Sequence, residues 1–344
     1  MNIALIFGGK SAEHEVSLRS AKNIFNALDR NRFNPVLIGI SKEGGWFLCD
    51  QIPEKEVLPN GQPISVTPGG VDEPFTLKGK KLPIDVVFPA LHGPNGEDGT
   101  IQGLFKMIEV PFVGPGVLSS GVAMDKCVSK RLLKSKGIKV ADWLTFNREA
   151  DISKIEKRFD YPLFVKPANL GSSVGVSKVK NRTQLKKAIN LAFEYDKKIL
   201  VEEFIDGREL ECSVLGNESP EASRVGEIKP KDKFYSYEEK YSDKSKTELI
   251  VPAQIDQLLE QKIQEIALRA FKSNMCTGMA RVDFLVTAED IYVNELNTIP
   301  GFTKISMYPK LWQESGLAYS DLISRLIDLA IEEHEADKKL KTSY

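Results

Sequence analysis

The chain has 344 residues, 42% of them hydrophobic and 28% charged, the make-up of ordinary globular protein and enough length for two or three domains. Forty-seven basic residues against 48 acidic ones leave a net charge of -1, so no global electrostatic signal points to nucleic acid or an anionic membrane. Four widely spaced cysteines (Cys49, Cys127, Cys212, Cys276) and three scattered histidines (His14, His92, His334) argue against a disulfide framework and a His-rich zinc site.

The N-terminal stretch MNIALIFGG lacks the basic head and long apolar run of a signal peptide. No apolar run reaches the roughly 18 residues that span a bilayer. A cytoplasmic protein is therefore expected. Residues 2–7 read as a buried strand that Gly8-Gly9 turns. A helix is expected from about Ser17, because Leu18, Ala21, Phe25 and Leu28 recur at helical spacing. A strand at 35–40 completes a βαβ unit and implies a parallel sheet. Residues 50–80 look like loops and short strands, and a strand at 84–88 runs into the Gly-rich loop 91–99. Such a loop at the carboxyl end of a strand is where open α/β sheets bind ligands. Further on, helices are expected at 122–136, 183–195, 256–273 and 319–336, with strands at 162–166, 174–179, 198–203 and 210–215. The polar segment 231–248 has almost no aliphatic residues and reads either as a disordered insertion or as a lid.

The densest chemical signal is a β-hairpin at 281–297. With its turn centred on Glu289, Asp283 pairs with Glu295 and Arg281 with Asn297. Period-two alternation then puts Arg281, Asp283, Glu295 and Asn297 on one face. Val282, Phe284, Val286, Tyr292 and Leu296 fall on the other, buried face. Two carboxylates and an amide at cross-strand distance make an oxygen-rich cradle for Mg²⁺. The Pro300-Gly301 turn that follows offers the Gly301 N–H as an oxyanion donor beside Arg281.

For phosphate, the stretch Ala4 to Ser11 nearly matches the P-loop pattern, but Ala4 stands where its first glycine must be. Lys166 at a strand end, followed by the hydroxyl-rich loop Gly171-Ser172-Ser173-Val174-Gly175, is the better phosphate site.

Several motifs in one order carry a resemblance. They are Gly8 to Ser17 (GGKSAEHEVS), Leu91 to Gly99 (LHGPNGEDG), Met124-Asp125-Lys126, Phe164-Val165-Lys166-Pro167, Gly171 to Gly175, Tyr237 to Tyr241 (YEEKY), Arg281-Val282-Asp283, and Asn294 to Gly301 (NELNTIPG). Together they resemble the D-alanine–D-alanine ligase family of the ATP-grasp superfamily over nearly the whole chain.

The resemblance implies an N-terminal parallel-sheet α/β domain (1–120) followed by a two-lobed ATP-grasp fold (121–215 and 216–344), an α/β and α+β architecture with ATP between the lobes. It implies that Lys126 and Lys166 bind phosphates, that Glu202, Glu203, Phe204 and Ile205 line the adenine, that Glu209 meets the ribose, and that Lys240 reaches the γ-phosphate from the lid. Glu203 and Phe204 depart from the Lys and Trp frequent in the family. Asp283, Glu295 and Asn297 would hold two Mg²⁺ (or Mn²⁺). Glu15, linked to Ser172 and Tyr241, would receive the ammonium of the first D-alanine, with His92 nearby. Ser306 and Met307 would bind the carboxylate of the second. The implied product is D-alanyl-D-alanine for peptidoglycan precursor synthesis. D-serine- or D-lactate-using ligases, or a non-catalytic relative, are the alternatives. A homodimer is the expected assembly.

Overall fold

A computed structural model describes residues 1–69, 74–229 and 247–341. Strand β1 (Asn2–Gly8) is almost wholly buried, as a strand inside a parallel sheet must be. It pairs in parallel with β2 (Asn34–Ile40) on one side and β7 (Val86–Pro89) on the other. Short strands β3 (Trp46–Leu48), β4 (Gln62–Val66), β5 (Phe75–Leu77) and β6 (Lys80–Lys81) extend the sheet antiparallel beyond β2, in the order β6-β5-β4-β3-β2-β1-β7.

Helix α1 (His14–Ala27) begins three residues before the position its apolar stripe suggests. Polar residues decide the start. Gly8, at φ +90°, ends β1 so close to β2 that a Cβ there would sit 2.3 Å from the Ile40 carbonyl oxygen. The Ser17 hydroxyl accepts the Gly8 N–H (2.7 Å) and donates to the Ala90 carbonyl (2.5 Å). The first turn of α1 is thereby pinned to the carboxyl ends of β1 and β7, the ligand-binding edge of a parallel sheet.

Helix α2 (Thr100–Met107) follows the Gly-rich loop. The single helix expected over 122–136 is two: α3 (Val117–Met124) and α4 (Lys126–Ser135). Asp125 breaks them apart, because its carboxylate caps α4 by accepting the N–H groups of Cys127 (3.1 Å) and Val128 (3.2 Å).

A second sheet, ordered β10-β9-β11-β8, contains β8 (Trp143–Asn147), β9 (Leu163–Pro167), β10 (Ser177–Val179) and β11 (Lys198–Glu203). Helices α5 (Ile152–Arg158) and α6 (Arg182–Tyr195) cover it around a core of Leu163, Val165, Leu185, Ile199 and Val201. The third sheet, ordered β14-β13-β12-β15-β16, contains β12 (Arg208–Leu215), β13 (Glu221–Lys229), β14 (Glu248–Ile250), β15 (Met279–Val286) and β16 (Ile291–Asn297). Helix α7 (Gln257–Ser273) packs on it. A boundary at 215 would separate β12 from this sheet. Strand β12 pairs with both β13 and β15, so the changeover between sheets falls between Glu203 and Arg208.

After β16 come α8 (Met307–Glu314) and α9 (Tyr319–Lys338). Leu322, Ile323, Leu326 and Ile327 of α9 share a core with Ile3, Leu5, Phe7 and Leu18, so the last helix completes the first domain. Among the described residues no helix is long and apolar enough to cross a membrane. The expected lid falls almost entirely outside the described residues, Lys240 and Tyr241 with it.

Candidate active site

A cleft of about 470 Å³ brings together residues from the second and third sheets, from the start of α1 and from the Gly-rich loop of the first domain. Its floor is the β15–β16 hairpin. Arg281 pairs with Asn297 and Asp283 with Glu295, in the register that alternation predicts. The register then slips by one residue, so that Phe284 faces Val293. This bulge reverses the alternation in β16. Val293, not the expected Tyr292, is buried with Phe284 and Val286, and Asn294 joins the polar face.

Charges are paired across that face. Arg281 donates two hydrogen bonds to Asp283 (2.7 and 2.8 Å) and lies 3.1 Å from Glu211 on β12. Burial alone would lower the guanidinium pKa, but Asp283 and Glu211 outweigh it and hold Arg281 firmly protonated. Asn297 donates to Asp283 (2.9 Å), and Lys126 lies 3.3 Å from Glu295. Among the described residues no group of three or more His, Cys, Asp or Glu side chains gathers as a closed metal cage. Asp283, Glu295 and the Asn297 amide nonetheless fit an ion that needs only one or two carboxylates and completes its shell with phosphate and water.

The nucleotide-side lysines sit in a buried charge chain. Lys166 pairs with Glu202, and Lys130 lies 3.0 Å from the same carboxylate. Burial would raise the Glu202 pKa, but the two ammonium groups bring it down to about 2. Lys130 and Glu202 are each only 2% exposed. Replacing Lys130 with Met leaves Glu202 with one countercharge, and we expect a loss of about 3 kcal/mol of stability, the low end for a broken buried pair because Lys166 remains. A lowered urea midpoint at unchanged slope would show it; an unchanged midpoint would mean that Lys130 is dispensable. Glu203, Ile205 and Glu209 also line the cleft. The Glu203 carboxylate accepts the Asp142 N–H (2.7 Å). Phe204, expected to meet adenine largely through its backbone, is not among the cleft-lining residues: its ring packs under Lys178 (3.2 Å) and beside Phe164.

At the first-domain side the structure corrects one assignment. Glu15 lies outside the cleft, about half exposed, and pairs with Lys42 (2.7 Å). Glu13, two residues earlier, is only 7% exposed and lines the cleft. Glu13 is the N-cap of α1, yet its carboxylate caps no N–H of its own helix. Instead it accepts a hydrogen bond from Ser172, 159 residues away. Ser172 and Ser173 hold positive φ (51° and 60°), a conformation rare for residues with a side chain. Glu97 lies close by, its Oε2 accepting the Gly93 N–H (3.1 Å) and its Oε1 3.9 Å from His92. Burial, with the Glu13 charge adding to it, raises the Glu97 pKa. Two carboxylates thus converge on one wall of the cleft, an arrangement suited to a ligand cation.

The Pro300-Gly301 turn also borders the cleft, and α8 starts just beyond it. The Ser306 hydroxyl accepts the Thr303 N–H (2.9 Å), and the Met307 side chain is buried. The first-turn N–H groups of α8 favour a carboxylate.

Glu13, Glu97, Lys130 and Glu211 were not singled out from sequence. Glu211 had a visible signal: with Glu209 and Ser213 it makes a polar row at period two, alternating with Leu210, Cys212 and Val214.

Family comparisons agree with this geometry. Residues 2–115 match the model of the D-ala D-ala ligase N-terminus, and residues 132–328 that of the C-terminus. D-alanine--D-alanine ligase A of Salmonella typhimurium is 49% identical over 360 aligned residues, covering 100% of this chain and 99% of that protein. The structure of the D-alanine-D-alanine ligase from Coxiella burnetii superposes with a TM-score of 0.87 at 38% identity, covering 98% of this chain and 96% of that one. The VanG D-Ala:D-Ser ligase from Enterococcus faecalis follows at TM-score 0.86 and 40% identity, covering 96% and 99%. Matched in both halves and along its full length, with a cleft whose lysines Lys126 and Lys166, hairpin carboxylates and glycine turn come from the expected motifs, the chain belongs to the D-alanine–D-alanine ligase family.

Proposed function

We propose that this protein joins two D-alanines into D-alanyl-D-alanine, with cleavage of ATP to ADP and phosphate. The observation that carries the reading is the cleft itself. Glu13 and Glu97 suit an amino acid's ammonium group, Lys126 and Lys166 suit phosphate, and Arg281 with Gly301 lines the same cleft from the hairpin and its following turn.

Glu13, steadied by Ser172, receives the ammonium of the first D-alanine, the role first expected of Glu15. The carboxylate oxygen of that residue attacks the γ-phosphorus, and the bond to ADP breaks. Lys126 and Lys166 hold the phosphates, with Lys240 of the lid on the γ-phosphate. Glu202, Glu203 and Ile205 border the adenine, with the backbone of Phe204, and Glu209 meets the ribose. Asp283, Glu295 and Asn297 would hold two Mg²⁺ (or Mn²⁺), which when bound neutralise the phosphate charge. The amine of the second D-alanine, its carboxylate seated at Ser306 and Met307, then attacks the acyl carbon. Arg281 and the Gly301 N–H hold the tetrahedral oxyanion until phosphate leaves. His92 borders the first amino acid, and Tyr241 joins the Glu13–Ser172 link from the lid. The N-terminal α/β domain and the two ATP-grasp lobes work as one unit around this cleft. A homodimer in the cytoplasm, supplying a peptidoglycan precursor, is the setting we infer.

The likeness to a D-Ala:D-Ser ligase makes the acceptor the point to test. Phosphate release with D-alanine as donor, and D-alanine, D-serine or D-lactate as acceptor, should favour D-alanine near neutral pH. Preference for either alternative would overturn the product assignment.

A further inference from the structure

Helix α1 turns one polar row, Glu13, Ser17, Ser20 and Asn23, toward the rest of the molecule, at the spacing of one helix face. Glu13 reaches Ser172, and Ser17 reaches the ends of β1 and β7. Ser20 and Asn23 reach the Ile299–Phe302 turn, more than 270 residues away in sequence.

Hydrogen-bond directions around Ser20 follow from which atoms can donate. His92 Nδ1 lies 3.2 Å from the Ile299 carbonyl oxygen, which only accepts, so Nδ1 carries the proton. Nε2 lies 2.9 Å from the Ser20 oxygen: it accepts the hydroxyl in the neutral ring and donates to the oxygen in the protonated ring, which burial opposes and Glu97 with Glu13 favours, so the bond stands in either form. The Ser20 oxygen in turn accepts the Phe302 N–H (3.2 Å). The chain runs from the Phe302 N–H through Ser20 and His92 to the Ile299 carbonyl. Both its ends lie on one turn, and between them stand only Pro300 and Gly301. The Phe302 carbonyl is held as well, by Asn23 (3.0 Å) and the Tyr319 hydroxyl (2.9 Å). Ser20 is fully buried, and Ile299 and Phe302 are each 1% exposed, so no solvent stands ready to replace these bonds.

We propose that Ser20 is a positioning residue for the second half of the reaction: its hydroxyl closes a buried hydrogen-bond ring that clasps the turn on both sides of Gly301 and aims the Gly301 N–H at the oxyanion. This rests on the reading of Gly301 and Arg281 as oxyanion donors. Ser20 touches neither substrate nor reacting atom in this role. Ser20 bonds to His92 and to the turn, whereas Lys126, Lys166 and Asp283 are held by Glu295, Glu202 and Arg281, so acyl-phosphate formation is expected to be the less affected half of the reaction.

The test separates the two halves. ATP labelled with ¹⁸O in the β,γ-bridge scrambles its label whenever acyl phosphate forms and reverts, while dipeptide reports the complete reaction. Their ratio does not depend on how much enzyme is folded. Ser20→Ala is expected to slow dipeptide formation by about 10- to 100-fold, the range for a reacting geometry displaced by a fraction of an ångström to an ångström. Scrambling should persist, so that the ratio of scrambling to dipeptide rises at least about 10-fold, with the KM for ATP changed by less than about threefold. An unchanged ratio, whether both rates fall together or neither falls, would overturn the proposal. Arg281→Ala, assayed beside it, tells the two readings apart. If dipeptide formation survives Arg281→Ala, the oxyanion site itself is misassigned. If it is lost with Arg281→Ala and the ratio stays unchanged with Ser20→Ala, only the role of Ser20 fails.

Discussion

Glu13→Gln is expected to lower kcat/KM for D-alanine by at least about 100-fold, while Glu15→Gln leaves it within about threefold. The first figure follows from removing one partner of a desolvated charge pair, which costs about 2–5 kcal/mol or more. Glu13 is buried in the cleft wall beside Glu97, and a substrate ammonium there has little water to fall back on. Glutamine keeps the length of the side chain and can still accept the Ser172 hydroxyl, so the fold should stand. The second figure follows from exposure. Glu15 and Lys42 are each about half exposed, where water screens an ion pair and leaves it little weight. Initial rates of phosphate release across D-alanine concentrations give both numbers. A severe defect in Glu15→Gln with an active Glu13→Gln would restore the original assignment.

The Glu13/Glu15 exchange shows where reading a sequence meets its limit. Both residues flank His14 in one motif. With a helix starting at Ser17, both lie in a loop and nothing ranks them. Starting the helix at His14 places them two residues apart on the same turn, roughly 200° around the axis, so one faces the cleft and the other faces water. The start was hidden because Ser17 and its two hydrogen bonds, not an apolar residue, define it.

The hairpin is the opposite case. Its register from Arg281 to Asp283 follows from alternation alone, because both strands carry a clear apolar face. Only the bulge escaped, since one extra residue leaves no compositional mark, and it moved Asn294 into the cleft and Tyr292 out of the core. Most strands and helices after residue 160 lie within a few residues of their expected bounds. What no local pattern could reveal is long-range pairing. Lys130 meets Glu202, Glu211 meets Arg281, and α9 returns to pack on β1, each through contacts between distant parts of the chain.

Glu295→Gln is expected to reduce kcat by about a thousandfold, because a metal clamp on transferring phosphate supplies several kcal/mol and each 1.36 kcal/mol is tenfold in rate. Glu295 is directly opposite Asp283 in the ladder, so these two carboxylates supply nearly all the negative charge of the cradle. Glutamine preserves size and one oxygen donor, and the partly exposed site should tolerate it without unfolding. Losing the carboxylate also releases Lys126, 3.3 Å away, which then keeps its full charge for phosphate. The variant should therefore show a raised Mg²⁺ or Mn²⁺ requirement with little change in the KM for ATP. A role in nucleotide binding alone would give the reverse split. Mn²⁺ titration followed by electron paramagnetic resonance, with a non-hydrolysable ATP analogue present, reads the same site without turnover. Weaker Mn²⁺ binding in Glu295→Gln than in the parent is the expected result. Unchanged Mn²⁺ affinity together with unchanged turnover would remove Glu295 from the metal site and leave the hairpin with only its oxyanion function.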